Sequence, residues 1–489
     1  MTHLIALDAG TTGVTAVLYD ADLRPLGRAY REFAQYFPQP GWVEHGAADI
    51  RGAVDATLAE LLEGFDGSIA GLGITNQRET VFPLLRSTGQ PLANGIVWQD
   101  RRTHARCDGL RAEGLEGWVQ RKTGLVLDPY FSASKMEWML ENMPTVRAAA
   151  DAGDLVFATV DALLIQHLVG GAHWVTEATN ACRTMLFDLE TQAYDRELCQ
   201  RFGVPRECLA EVLPSVGSFG LATLPGGLQV PILGVAGDQQ AALVGQGCWG
   251  RGGAKITYGT GCFLMLNTGS ERVQSHSGLL STLALDQRGG LVHAMEGSVF
   301  AGGLTIQWLR DGLGIIGSAE ESEALAASVP DSGGVTLIPA FAGLGAPHWD
   351  PNARAALLGM TRGTGRSHIA RAALEAIALQ CADVVEVLRK ETGLAIEAIR
   401  VDGGAAQNAL LMQIQADMAG LTVQRAQDLE STARGAAALA GLGAKVWQDL
   451  GEVPAFRDPT TDFEPAMDQG SVRVLRERWQ DALDRIKSR

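Results

Sequence analysis

A chain of 489 residues, 46% hydrophobic and 20% charged, exceeds one ordinary core and leaves no room for a long disordered tail, so two large globular lobes are expected. Its 40 basic and 56 acidic side chains give a net charge of −16 with no Lys/Arg-rich stripe, which excludes nucleic acid as a partner. An anionic nucleotide is not excluded, because backbone N–H groups and a divalent cation can supply positive potential locally.

The opening MTHLIALDAG has no basic leader region and no cleavage site, and Asp8 interrupts its apolar run almost at once. From there LIAL, DAGTTG and VTAVLYD read as two strands around a Gly/Thr turn, the pattern of a β-hairpin. Asp8 stands where the first strand ends, beside the turn formed by Gly10, Thr11, Thr12 and Gly13, whose N–H groups can hold phosphate oxygens. Its carboxylate suits a hard cation. The same residues also suit an ordinary hairpin that uses Gly and Thr for geometry alone.

Further on, the longest apolar candidate for a membrane span, LVFATVDALLIQHLV, is broken by Asp161, Gln166 and His167. No membrane association is expected. The 7 cysteines are scattered, odd in number and never in a C-x-x-C pair, which points to a reducing cytoplasm. GQGCWGRGG (245–253) is the most glycine-dense stretch and reads as a hinge, dividing the chain into 1–246 and 247–489. Just beyond it AKITY, GTG and CFLMLN repeat the strand, turn and strand design, with Thr260 and Gly261 in the turn. A helix is expected over 369–390, where Leu374, Ile377, Cys381, Val384 and Leu388 recur at helical spacing as core. VDGGA (401–405) places a glycine pair between a strand and a helical segment holding Leu410, Leu411, Ile414 and Met418, whose start would offer free N–H groups to a nucleotide. From about Thr460 little pattern is recognisable.

These three elements in this order resemble the two phosphate motifs and the adenosine motif of the actin, hexokinase and heat-shock-chaperone ATPase superfold. The resemblance implies an α/β fold of two ribonuclease-H-like lobes with ATP in a central cleft. The segments GITNQRE (73–79), IVWQDRR (96–102), DPYFSASKMEWMLEN (128–142), GVAGDQQAALVGQ (234–246), TYGTGCF (257–263), TIQWLRD (305–311) and PAFAGLGAPHWDP (339–351) resemble, collinearly, the glycerol kinases of the FGGY carbohydrate kinase family.

That resemblance implies phosphorylation of glycerol by ATP to sn-glycerol 3-phosphate. Arg78, Glu79, Tyr130, Asp238 and Gln239 would hold the hydroxyls, with Trp98 and Phe263 against the carbons. The residue types agree, since guanidinium donates to hydroxyl oxygens, carboxylate accepts from hydroxyl hydrogens, and rings cover C–H faces. Asp238 would be the catalytic base, and Asp8 the ligand of Mg²⁺, with Asp238 sharing it. Thr11, Thr12, Gly13, Thr260 and Gly261 would meet the phosphates, and Gly303, Gln307, Gly404 and Asn408 would line the nucleotide. Each acceptor residue also has a plainer role open to it: Arg78 and Glu79 as a solvated pair, Trp98 and Phe263 as core, Asp238 as a helix cap. The family further implies a homo-oligomer, dimer or tetramer. A kinase for a longer polyol or a ketopentose, or an ATP-gated polyol sensor without transfer, are the alternatives.

The chain departs from the family at its first turn. Many glycerol kinases continue Thr-Thr-Ser-x-Arg, where this chain has Gly13, Val14 and Thr15, so the guanidinium has no replacement at Thr15. Related xylulose kinases often carry Gly-Val here. LPGGLQVP (224–231) lacks the Gly-Gly-x-x-Gly-x-Arg loop used for fructose 1,6-bisphosphate inhibition in some bacterial members, so that inhibition is expected to be absent. No histidine between Leu213 and Val230 could serve activation by phosphorylation.

Overall fold

The computed structural model describes residues 2–350, 352–428 and 430–487; Pro351, which closes one of the segments quoted above, lies outside them. The chain forms two compact units. The first takes the chain up to Trp249 together with Ser281–His293 and Ser431–Arg457, and the second takes Gly250–Leu280, Ala294–Glu430 and the chain from Asp458 onward. A single division between 246 and 247 is therefore too simple, because two later segments return to the first unit.

In the first unit, β1 (Thr2–Ala9), β2 (Gly13–Asp20), β3 (Pro25–Glu32), β4 (Ser68–Asn76), β5 (Leu221–Leu224) and β6 (Leu228–Gly237) form a sheet in the order β5-β6-β4-β1-β2-β3. β1, β4 and β6 run parallel, and β2 closes the expected hairpin antiparallel to β1. The unbroken apolar run of β1 marks a strand covered on both faces. Ile5 and Leu7 pack with Ile50, Val54 and Leu58 of the helix Ala47–Leu61, while Leu4 and Ala6 pack with the alanines of the helix Ser431–Gly443. That second helix explains the return of the chain to this unit. Its small residues lie so close to the sheet that a Cβ on Gly73 of β4 would collide with the Ala436 carbonyl.

The second unit repeats the plan. β7 (Ala254–Tyr258), β8 (Cys262–Gly269), β9 (Leu291–Val299, in this unit from Ala294 on), β10 (Ala398–Asp402), β11 (Thr422–Arg425) and β12 (Thr461–Phe463) are ordered β9-β8-β7-β10-β11-β12. β7 and β8 form the second glycine hairpin, and β10 joins β7 in parallel, as β4 joins β1. The duplicated design is thus a duplicated strand order. The helix Arg366–Thr392 buries Leu374, Ile377, Cys381, Val384 and Leu388 as their spacing predicts. Among the described residues no helix is long and apolar enough to cross a membrane.

Candidate active site

Both aspartates stand at the carboxyl ends of parallel strands, where open α/β sheets place their ligands. Asp8 of β1 is level with Thr75 of β4, which is level with Ala236 of β6, and Asp238 follows two residues later as the first residue of the helix Asp238–Gly245. The Asp238 Oδ1 accepts the Gln239 N–H at 2.7 Å, satisfying one donor of the first turn from inside the helix while its side chain stays partly exposed; the cap itself is Gly237.

The residues that follow β4 turn inward. Arg78 and Glu79 are buried, not a solvated pair. Arg78 Nε lies 3.1 Å from Asp238 Oδ1 and 3.7 Å from Glu79 Oε1, and Arg183 Nε meets that same Glu79 oxygen at 2.7 Å. Two guanidinium groups and two carboxylates thereby balance in a space from which water is largely removed. Gly237 makes this possible, since a Cβ there would sit 2.6 Å from both Cγ and Cδ of Arg78.

Aromatic rings line the same region. Trp98 and Tyr130 meet edge to face at 5.5 Å, and the Arg183 guanidinium lies 5.6 Å from the Tyr130 ring centre. Trp98 is half-buried, which sets it apart from core, and its Nε1 donates to Thr11 Oγ1 at 2.9 Å. One chain of contacts therefore runs from the first turn through Trp98, Tyr130, Arg183, Glu79 and Arg78 to Asp238. Buried Gln239 adjoins it, whereas Phe263 stands half-buried on β8 of the second unit.

Sequence reasoning missed several of the supports. Arg183 is one, and its only local cue is a lone cation in the otherwise neutral stretch TNACRTMLF. Glu177 is another: its carboxylate accepts from Thr179, Asn180 and Ser215, and burial pushes it up to about 7. Thr179 Oγ1 in turn accepts the Gly237 N–H at 2.9 Å, which fixes the backbone just before Asp238. Lys135, fully buried, donates to the carbonyls of Pro129, Tyr130 and Phe131 and so holds the loop that carries Tyr130.

The first turn has its own scaffold. Gly10 N–H donates to Gly13 O, closing the turn, while the Gln77 amide donates to the Gly10 carbonyl and the Gln35 amide to the Thr11 carbonyl. Both glutamines meet His45, through its two ring nitrogens. Thr12 is left exposed to solvent. Burial lowers the His45 ring from its ordinary 6.5 to about 4, so the fold favours neutral imidazole. The stability this represents is complete above pH 6.5 and is lost as pH falls toward 4, on the order of 3 kcal/mol in all. A pH series of thermal midpoints should show a shallower loss across that window in His45→Gln than in the wild type. Superimposable acid limbs would contradict the assignment.

In the second unit a cavity of about 370 Å³ is lined by Tyr258, Thr260, Gly303, Gln307, Gly404 and Asn408, among others. Gly404 faces open space, so backbone is presented directly to the cavity. Gly261 lies outside this lining and packs where a Cβ would strike the Val299 carbonyl. The expectation of free N–H groups at the following helix needs correction. Asn408 caps the helix Ala409–Ala419 by accepting the Leu411 N–H at 2.8 Å, and Glu323 takes that of Ala409 at 3.3 Å. Side chains of the protein already satisfy those donors.

No cluster of three or more His, Cys, Asp or Glu that could hold a metal is present among the described residues. A cation that keeps its waters and binds through one or two carboxylates needs no such cage. The two aspartates, at the ends of β1 and β6 on either side of β4, suit that mode.

Comparisons with known proteins cover nearly the whole chain. The model of the FGGY family of carbohydrate kinases, N-terminal domain, matches residues 3–245, and that of its C-terminal domain matches 254–444. The chain is 48% identical over 489 residues to a glycerol kinase of Shewanella pealeana, covering 99% of each chain. It is 49% identical over 488 residues to a glycerol kinase of Halorhodospira halophila, covering 99% of this chain and 96% of that one. Among solved structures, glycerol kinase of Plasmodium falciparum with ADP superposes with a TM-score of 0.92 at 34% identity, covering 100% of this chain and 99% of that one. A xylulose kinase of Lactobacillus acidophilus, 22% identical, shares the fold with a TM-score of 0.88, covering 99% of this chain and 98% of that one.

Proposed function

Since the chain belongs to the FGGY family of carbohydrate kinases, we propose that it transfers the terminal phosphoryl group of ATP to glycerol, releasing ADP and sn-glycerol 3-phosphate. The observation that carries this assignment is the set of buried Arg78, Glu79 and Arg183 with partly exposed Asp238 beside the Trp98 and Tyr130 rings. It offers charged donors and acceptors on one side and aromatic surface on the other, which is the chemistry of a short polyol. Such a site rejects acceptors that lack a hydroxyl, because buried polar groups would then stay unpaired. Gln239 joins the hydroxyl contacts, and Phe263 keeps its place against the glycerol carbons by family resemblance alone.

Phosphoryl transfer rests on alignment and charge neutralisation more than on covalent chemistry. Asp238 takes the proton of the attacking hydroxyl as its oxygen bonds to the γ-phosphorus, and ADP leaves with the electron pair of the broken P–O bond. Arg78 holds the Asp238 carboxylate in place, and Thr11, Thr12 and Gly13 of the first turn, with Thr260 and Gly261 of the second, receive the phosphates. Gly303, Gln307, Gly404 and Asn408 line the nucleotide, which the cavity they border supports. Mg²⁺, when bound, neutralises phosphate charge; Asp8 and Asp238 are the residues that would hold it. All 7 cysteines are free and buried, which supports a reducing, cytoplasmic setting.

A coupled assay of ADP formation tests the assignment. ATP consumption should depend on glycerol and should exceed that seen with erythritol, ribitol or xylulose at equal concentration. ATP consumption indifferent to glycerol would overturn it.

A further inference from the structure

Tyr30 reaches the first turn from β3, a strand so far without a chemical role. It is level with Thr15 of β2, in a cross-strand row that continues through Asp8 to Thr75, and its neighbours in that row share one face of the sheet. The ring leans over Gly13. A Cβ at position 13 would lie 2.6 Å from the Arg31 carbonyl oxygen and 2.7 Å from both Cε2 and the hydroxyl oxygen of Tyr30, so the phenol and that carbonyl together fill the space in which a side chain of residue 13 would begin.

The absence of a side chain at Gly13 and the presence of a phenol at Tyr30 are thus two halves of one packing arrangement. The ring is half-buried, with the Arg28 guanidinium 5.7 Å from its centre. Among the described residues the Tyr30 hydroxyl meets no hydrogen-bond partner; the contacts of Tyr30 are its backbone carbonyl with Arg31 and its ring with Arg28. An O–H held over Gly13 at the turn, with no acceptor among the described residues, is a donor prepared for a ligand.

We propose that the Tyr30 hydroxyl is part of the phosphate grip, donating to a non-bridging oxygen of the nucleotide polyphosphate as the surrogate side chain of position 13. This rests on the ATP-dependent transfer proposed above. It supplies a neutral donor at the turn where Thr15 brings no cation, and an O–H to anionic oxygen belongs to the stronger class of hydrogen bonds.

Tyr30→Phe keeps the ring and its packing and removes only the hydroxyl. ATP and ADP binding, measured by calorimetry with Mg²⁺ and without glycerol, should weaken by about tenfold. The KM for glycerol and the thermal midpoint should not move. Gly13→Ser should lower the midpoint through collision with the ring and with the Arg31 carbonyl. Tyr30→Phe binding both nucleotides like the wild type overturns the proposal and leaves the kinase assignment standing, as does a loss shared equally by glycerol. A wild type that binds nucleotide but ignores glycerol removes the acceptor assignment and leaves the Tyr30 comparison to be read directly. A wild type that binds neither ATP nor ADP overturns both.

Discussion

Asp238→Asn is expected to lower glycerol phosphorylation roughly a thousandfold while the protein stays folded. The amide is nearly isosteric and can still accept the Gln239 N–H from its oxygen, so the start of the helix Asp238–Gly245 should survive. What it cannot do is take a proton from an attacking hydroxyl at neutral pH. The change also deprives Arg78 of a carboxylate at 3.1 Å, but Arg78 keeps Glu79 and the Gln240 side chain, so the loss should fall on turnover more than on the thermal midpoint. Steady-state kinetics against glycerol, beside a melting curve, checks both halves. A variant retaining more than about a tenth of wild-type turnover would remove Asp238 from the role of base.

Arg183→Met is expected to be the most damaging single change away from the reacting atoms. Arg183 is fully buried, and its Nε lies closer to Glu79 than the Arg78 Nε does, 2.7 Å against 3.7 Å. Its removal leaves a buried carboxylate short of compensation, at a cost of about 3–5 kcal/mol. It also withdraws the cation that faces the Tyr130 and Phe131 rings. The thermal midpoint should drop by several degrees and the KM for glycerol should rise. Adding Glu79→Gln should restore part of the stability, because the uncompensated charge is then gone, while acceptor binding should remain poor. Additive losses of stability in the double variant would show that Arg183 and Glu79 do not act as a pair.

Both glycine hairpins were legible because strand alternation and turn chemistry are local: Asp8 through Gly13 and Tyr258 through Cys262 announce themselves within a few residues. The helix at Arg366–Thr392 was legible for the same reason, by period. The residues proposed for the acceptor were legible by family pattern, and burial bears on the plainer alternatives for some of them. Arg78 and Glu79 proved to be buried, and Trp98 proved to be only half so. The free helix start expected after VDGGA failed because the local cap Asn408 satisfies one of its donors and Glu323, 86 residues earlier in the chain, satisfies another. No local pattern announces such a partner.

The turn at Asp8 to Gly13 shows the same division. Strand order, hairpin positions and residue types follow from short-range preference, since backbone sterics and side-chain alternation act between near neighbours in sequence. Three further features depend on contacts between distant segments: the return of Ser431–Gly443 to cover the first sheet, the pairing of Arg183 with Glu79, and the placing of Tyr30 over Gly13. Packing and charge compensation act through space, so residues far apart in the chain become partners only once the sheet has set their distance.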